Sequence, residues 1–295
     1  MPHVPSVPRA VAAVALVLLA LACNPAPSAS PAPVPTAGPT AGPSTAGAPT
    51  TVRVYFFIGS VTASGGLVPV ERRVSQMDPA ASTERAALEA LLAGPTPAEL
   101  AASPAMFTVM PEGTRLLGLE LGTGGAATVD LSSEFETAGS ANAKGRLAQV
   151  VYTLTQFPTI TDVRFRIAGT PITVFSDAQL PLDPPVDGAD YTDQLPVIFL
   201  DQPAWGSSLG NPARLTGLAN AFEAQFLVRI LDAAGQSVAE RSVMASCGTG
   251  CWGTFDETVP YPVTVTGSGR VQAYELSEMD GSIVSLTDYP VTLNP

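Results

Sequence analysis

The 295-residue sequence predicts an α+β domain, two helices on a small mixed sheet, followed by an all-β sandwich. Three observations predict it. Between residues 51 and 176, alternating strand-like runs are interrupted by two stretches with apolar residues at helical spacing. From residue 195 onward only strand-like runs recur, separated by turns that contain Gly or Pro. Ahead of both, residues 24–50 hold only Ala, Pro, Ser, Thr, Gly, Val and one Asn, too little apolar surface to offset the entropy of ordering.

In the first region, Val52, Val54, Phe56 and Ile58 alternate with Arg53, Tyr55 and Phe57, the period of a strand. A second strand is expected over Leu67–Val74. Asp78-Pro79 then reads as a helix start, Leu88, Leu91 and Leu92 as its apolar stripe, and Gly94-Pro95 as its stop. Leu117, Leu119 and Leu121, then Ala127, Val129 and Leu131, form two alternating runs joined by a turn at Gly122–Gly125. A second helix is expected over about 141–157, where Leu147, Val150, Val151 and Leu154 share one face and Pro158 ends the run. Val163, Phe165 and Ile167 mark the last strong strand, which gives the α+β reading for 51–176.

The connector 177–194 carries Asp177, Asp183, Asp187, Asp190 and Asp193. Their spacing does not follow a calcium-loop pattern, so a solvated acidic hinge is expected. In the region 195–295, strands are expected at Val197–Leu200, Phe222–Leu231, Val259–Val265, Arg270–Leu276 and Val291–Leu293. Phe222, Ala224, Phe226, Val228 and Ile230 are expected on one face, and turns at Asp232–Gly235 and Asp280-Gly281. This is the pattern of an antiparallel sandwich.

Residues 1–22 read as an export signal. Arg9 precedes an uncharged apolar run, Ala10–Ala22, that is shorter than the ~20 residues of a spanning helix. The run ends Leu18-Leu19-Ala20-Leu21-Ala22-Cys23, which resembles a bacterial lipobox but has Ala20 where Leu is usual and Leu21 where a small residue is usual. Cys23 is therefore expected to be acylated on the extracytoplasmic face of a membrane; conventional cleavage after Ala20-Leu21-Ala22 is the alternative. On the first reading 23–50 is a spacer, which could reach on the order of 80 Å at ~3.1 Å per residue if fully extended. Cys247 and Cys251 are then left as a lone C-x3-C pair. In an exported protein the pair is expected to form a disulfide rather than a redox-active couple.

Composition excludes several chemistries. The chain has 26 acids, 14 bases and a single histidine, His3, inside the signal. Histidine-based nucleophile activation and histidine metal sites are therefore not expected, and neither is a nucleic-acid partner. No cofactor is expected. Gly206-Ser207-Ser208-Leu209-Gly210 has the spacing of a nucleophile elbow but lacks a histidine base and a following helix. Gly248–Gly253 has dinucleotide-loop spacing but opens no helix. Asp130, Glu134 and Glu136 are the one carboxylate cluster suited to acid–base work on a wall polymer.

Three blocks in the first region resemble the GerMN domain of sporulation and germination lipoproteins. They are Ala87–Pro95, Met110–Thr114 and Val129–Phe135, and the resemblance continues through Val150–Pro158 and Val163–Gly169. In the second region Phe222-Glu223-Ala224, Cys251–Phe255, Tyr274–Ser277 and Asp280–Ser282 resemble the immunoglobulin-like domain of bacterial spore germination. The resemblance implies a non-enzymatic envelope protein. Its expected partners are the membrane, through the anchor, and an envelope protein complex or peptidoglycan. The alternative is a carboxylate-dependent hydrolase acting on a cell-wall polymer.

Overall fold

The computed structural model describes residues 49–59, 66–75, 82–137, 142–176 and 178–295. The signal, His3, Cys23, the spacer up to residue 48 and the Asp78-Pro79 helix start lie outside the described residues.

The chain opens with strands β1 (Thr50–Ile58) and β2 (Leu67–Val74), an antiparallel pair in which Val54 faces Val70. Helix α1 (Thr83–Leu92) starts at Ser82, whose hydroxyl accepts from the Arg85 N–H at 3.2 Å, and ends before Gly94 at φ +79°. A one-turn helix α2 (Pro97–Leu100) has a Thr96/Glu99 capping box, and Arg72 clamps the Glu99 carboxylate at 2.6 and 2.8 Å. Strand β3 (Met106–Phe107) completes a three-stranded sheet, β2-β1-β3.

The hairpin β4 (Leu116–Leu121) and β5 (Ala126–Leu131) is followed by a short helix α3 (Glu134–Thr137), helix α4 (Ala143–Thr155) and strand β6 (Asp162–Ile167), which runs parallel to β5. With β7 (Thr170–Ile172) these strands form a mixed sheet, β4-β5-β6-β7. The expected small sheet is thus two sheets, with α1 and α4 packed on each other and on both. Leu117 and Leu121 are about half exposed rather than core-facing, because β4 is a sheet edge and bulges between Leu116 and Gly118.

Helix α4 departs most from a surface helix. Every residue from Gly145 to Leu154 is buried, including Arg146, Gln149 and Thr153. Arg146 donates to the Phe135 carbonyl and Gln149 to that of Tyr55, and the chain beyond β6 covers more of the helix. After the hairpin β8 (Val174–Phe175) and β9 (Leu180–Pro181), residues 186–194 lie along α4 and end in a 3-10 turn, Gly188–Gln194. The Tyr152 hydroxyl donates to Gly188 O at 2.7 Å, Lys144 pairs with Asp193 at 2.8 Å, and Tyr191 is buried. The acidic connector is therefore a packed strap over its described residues, not a solvated hinge: its aromatic and aliphatic members find apolar ground, while its aspartates cap the turn or meet Lys144.

The second region is a two-sheet all-β structure. One sheet orders β10 (Ile198–Gln202), β12 (Ala213–Ala219) and β15 (Gly253–Val259). The other orders β11 (Ser208–Leu209), β17 (Ile283–Leu293), β16 (Gly267–Leu276), β13 (Gln225–Leu231) and β14 (Ser237–Met244). Phe226 meets Phe255 edge-on at 5.0 Å inside it. Two expectations are corrected. The strand placed at Val259–Val265 lies earlier, since Pro260 and Pro262 cannot donate to a ladder and Val265 is exposed. Phe222 and Ala224 precede β13 in a tight turn instead of sharing its inner face.

Gly217 on β12 sits where its two flanking strands, β10 and β15, leave no room for a side chain. A Cβ there would collide with the Phe199 carbonyl oxygen and stand 2.9 Å from Phe255 Cζ. Gly217→Ala should lower stability by about 1–3 kcal/mol, read from urea midpoints. Gly210→Ala, at a site open to solvent, should leave the midpoint unchanged; equal effects would refute the close approach.

Candidate functional site: the cleft between the two regions

A cleft of about 510 Å³ opens where β1 and the end of α4 meet β10, β12 and β15. Its floor is aromatic and buried. The Tyr55 ring lies 5.7 Å from Tyr152 and 6.4 Å from Phe199, and Tyr152 lies 6.1 Å from Phe199. Its walls are polar. The Tyr55 hydroxyl donates to Asp201 Oδ1 at 2.8 Å, and Arg53 Nη2 pairs with Asp201 Oδ2 at 3.3 Å. Arg53 Nε also donates to the Tyr55 hydroxyl at 3.3 Å. Gln156 brackets the Arg53 backbone, accepting from its N–H at 2.7 Å and donating to its carbonyl at 2.6 Å. On the opposite wall Arg214 grips Asp256 with two bonds, 2.9 and 2.7 Å.

These positions follow from strand parity. Arg53 and Tyr55 are two apart on β1 and so share a face, the one turned toward α4 and β10. Phe199 and Asp201 repeat the arrangement on β10. Burial pushes the Tyr55 phenol far above its ordinary value, with the Asp201 charge adding to it, and burial does the same at Tyr152. The Asp256 carboxyl is held low by its bonds from Arg214. The carboxylates of the cleft are bonded to guanidinium groups, so the arrangement offers paired charges and hydroxyls for recognition rather than a poised acid and base.

The sequence-predicted cluster does not converge. Asp130 on β5 accepts from the Gly169 N–H at 3.0 Å. Glu134 opens α3, lies 3.7 Å from Arg115, and is held below the usual carboxylate range first by the Ser132 hydroxyl and then by its own N–H. Glu136 lines a separate hollow with Val174, Ser176 and Gln179. Among the described residues no three His, Cys, Asp or Glu side chains are placed to hold a metal ion, and no helix is long and apolar enough to cross a membrane.

The elbow-like Gly206–Gly210 run forms the short strand β11, parallel to β17, with a strand rather than a helix after it. Cys247 and Cys251 are disulfide-bonded with Cα atoms 5.8 Å apart, inside the usual range. The loop they close carries the Gly248–Gly253 run. Sequence reading missed the Arg53–Asp201–Tyr55 constellation. The available signal was a charge interrupting each of two apolar strands, but nothing in the sequence pairs positions so far apart.

Tyr55, Tyr152, Tyr191 and Tyr289 all have phenol pKa values raised by burial. A raised folded pKa means the stabilisation is intact below the unfolded value near 10 and is lost as pH rises past it. Stability should therefore fall above pH 10 by about 1.4 kcal/mol per pH unit for each such tyrosine. Urea midpoints at pH 9, 10 and 11 should show the fall, and Tyr55→Phe should shrink its slope; a flat profile would contradict the burial.

Residues 53–173 match the Germane family, described as sporulation and spore germination, and residues 197–282 match Gmad2, the immunoglobulin-like domain of bacterial spore germination. Among solved structures, the first GerMN domain of the sporulation protein GerM from Bacillus subtilis is 22% identical, with a TM-score of 0.38, over 48% of this chain and 99% of that one. The tandem GerMN domains of the same protein are 16% identical, with a TM-score of 0.38, over 72% of this chain and 62% of theirs. A candidate lipoprotein from Clostridium perfringens is 16% identical, with a TM-score of 0.33, over 50% of this chain and 93% of that one. Among curated proteins none matches the chain. The chain carries a GerMN domain of the sporulation and spore germination family, followed by the immunoglobulin-like domain of bacterial spore germination.

Proposed function

We propose that the protein is a non-enzymatic, lipid-anchored module of the cell envelope that binds and presents rather than turns over a substrate. Cys23 carries the lipid, 24–50 is the spacer, and the folded remainder is the presenting body, held near the membrane at raised effective concentration. The observation that carries the reading is that both family-matched regions belong to one compact unit and share a cleft whose charged groups are paired with each other. A tethered body of this kind gains from a fixed surface and has no need of a free acid or base.

Expression in a bacterial host with labelled palmitate tests the anchor and the purified chain tests the chemistry. The wild type should carry label in the membrane fraction, and Cys23→Ser should lose both. Purified protein should sediment with an envelope complex or peptidoglycan and release no soluble fragments from the wall polymer. Unlabelled, soluble wild-type protein would overturn the anchor. Fragment release abolished by changing Asp130, Glu134 and Glu136 to Ala would establish the hydrolase instead.

A further inference from the structure

The disulfide-bearing end of the β region has a second groove, about 300 Å³, away from the cleft. Its apolar lining includes Phe222, Leu227 and Leu276, of which Phe222 is 52% exposed and Leu276 48%. Met244 and Ile283 extend the apolar surface, since Met244 sits opposite Gln225 on β14 and Ile283 opposite Leu276 on β17. Large apolar side chains grouped at one exposed end of a domain mark an interaction site more often than a random surface does.

The groove is built rigidly. Glu223 and Ala224 both adopt left-handed backbone, at φ 52° and 62°, as does Thr249 at 52°. Such conformations persist where the surroundings over-determine them, and they cluster at ligand clamps. Here the Glu223 N–H donates to Thr249 Oγ1 at 2.7 Å, the Thr249 N–H to Ala221 O at 2.9 Å, and the Gly250 N–H to Asn220 Oδ1 at 2.8 Å. The Cys247–Cys251 bond closes the loop behind them. Glu275 Oε1 accepts the Phe222 N–H at 2.7 Å, which fixes the aromatic residue at the rim.

Charge selects the occupant. Glu223, Glu275 and Glu278 line the groove, and none of its lining residues is basic. An anionic lipid surface would be repelled, and so would a second copy of a chain with a net charge of −12. We infer that this groove docks a partner-protein segment whose aliphatic or aromatic side chains are flanked by Lys or Arg. The apolar side chains enter between Phe222, Leu227 and Leu276, and the flanking cations meet the glutamates. The rigid clamp limits the ordering cost on the chain's own side. The inference concerns the β region alone and stands whether or not Cys23 is acylated.

The test uses the full chain carrying Cys23→Ser, so that no lipid competes for apolar surface. It is titrated with a synthetic peptide alternating Leu and Lys, and with control peptides in which Glu replaces Lys or Ser replaces Leu. Phe222→Ser/Leu276→Ser should weaken binding of the Leu/Lys peptide at least tenfold, and Glu223→Gln/Glu278→Gln at least threefold. Glu275 is left in place because it holds Phe222. All four positions are at the surface, and unchanged thermal melts will confirm folding. Neither control peptide should bind as well as the first. Equal binding of the Leu/Glu peptide, full affinity in the Phe222/Leu276 variant, or no binding by the unmodified groove would overturn the proposal. So would association with phosphatidylglycerol vesicles that depends on Phe222 and Leu276.

Discussion

Tyr55 is the residue on which the two regions turn. Its carbonyl oxygen accepts from the buried Gln149 side chain of α4 at 2.7 Å, and its hydroxyl donates to Asp201 of the β region. Its ring packs between Tyr152 and Phe199, one from each region. A single side chain on β1 therefore ties together the central strand of the first sheet, the central helix and the first strand of the second region. Arg53 repeats the link two residues away through Asp201 and Gln156. A buried phenol and a half-buried guanidinium sharing one carboxylate tolerate little displacement, because each is left unsatisfied if the other side moves.

The link is reinforced by backbone. The Trp205 N–H donates to Pro69 O at 2.8 Å, next to a bridge between Val70 and Trp205, so β2 meets the loop after β10 directly. Gly66 lies so close to Pro196 that a side chain there would collide with it. The packed strap adds to the arrangement through Tyr152 and Lys144 of α4. The resulting body offers a cleft of matched charges on one side and an acid-rimmed apolar groove at one end. Both suit recognition, and the carboxylates that the sequence offered for catalysis are spread over separate structural duties.

Much of the local structure was legible because it depends on near neighbours. The strand expected over Leu67–Val74 is β2 with the same bounds, and the i, i+3, i+4, i+7 stripe of Leu147, Val150, Val151 and Leu154 marks α4. Each reading failed where a distant partner intervenes. Tyr55 and Phe57 look like the solvent side of a half-buried strand, but α4 and β10 cover them. Arg146 and Gln149 look like the wet side of α4, but the Phe135 carbonyl and the backbone of β1 take their donors. Strands β12 and β14 carry too few apolar residues to announce themselves and are held by register with β15 and β13. Phe222 was misplaced for the opposite reason: its apolar character suited a core strand, while the left-handed turn at Glu223 and Ala224 sends the chain elsewhere.

Calorimetric unfolding of the full chain tests the central claim, that Tyr55 and its partners make one cooperative body of two family-matched regions. The account predicts a single transition whose calorimetric enthalpy equals its van't Hoff enthalpy. Two resolved transitions, one for each region, would contradict it.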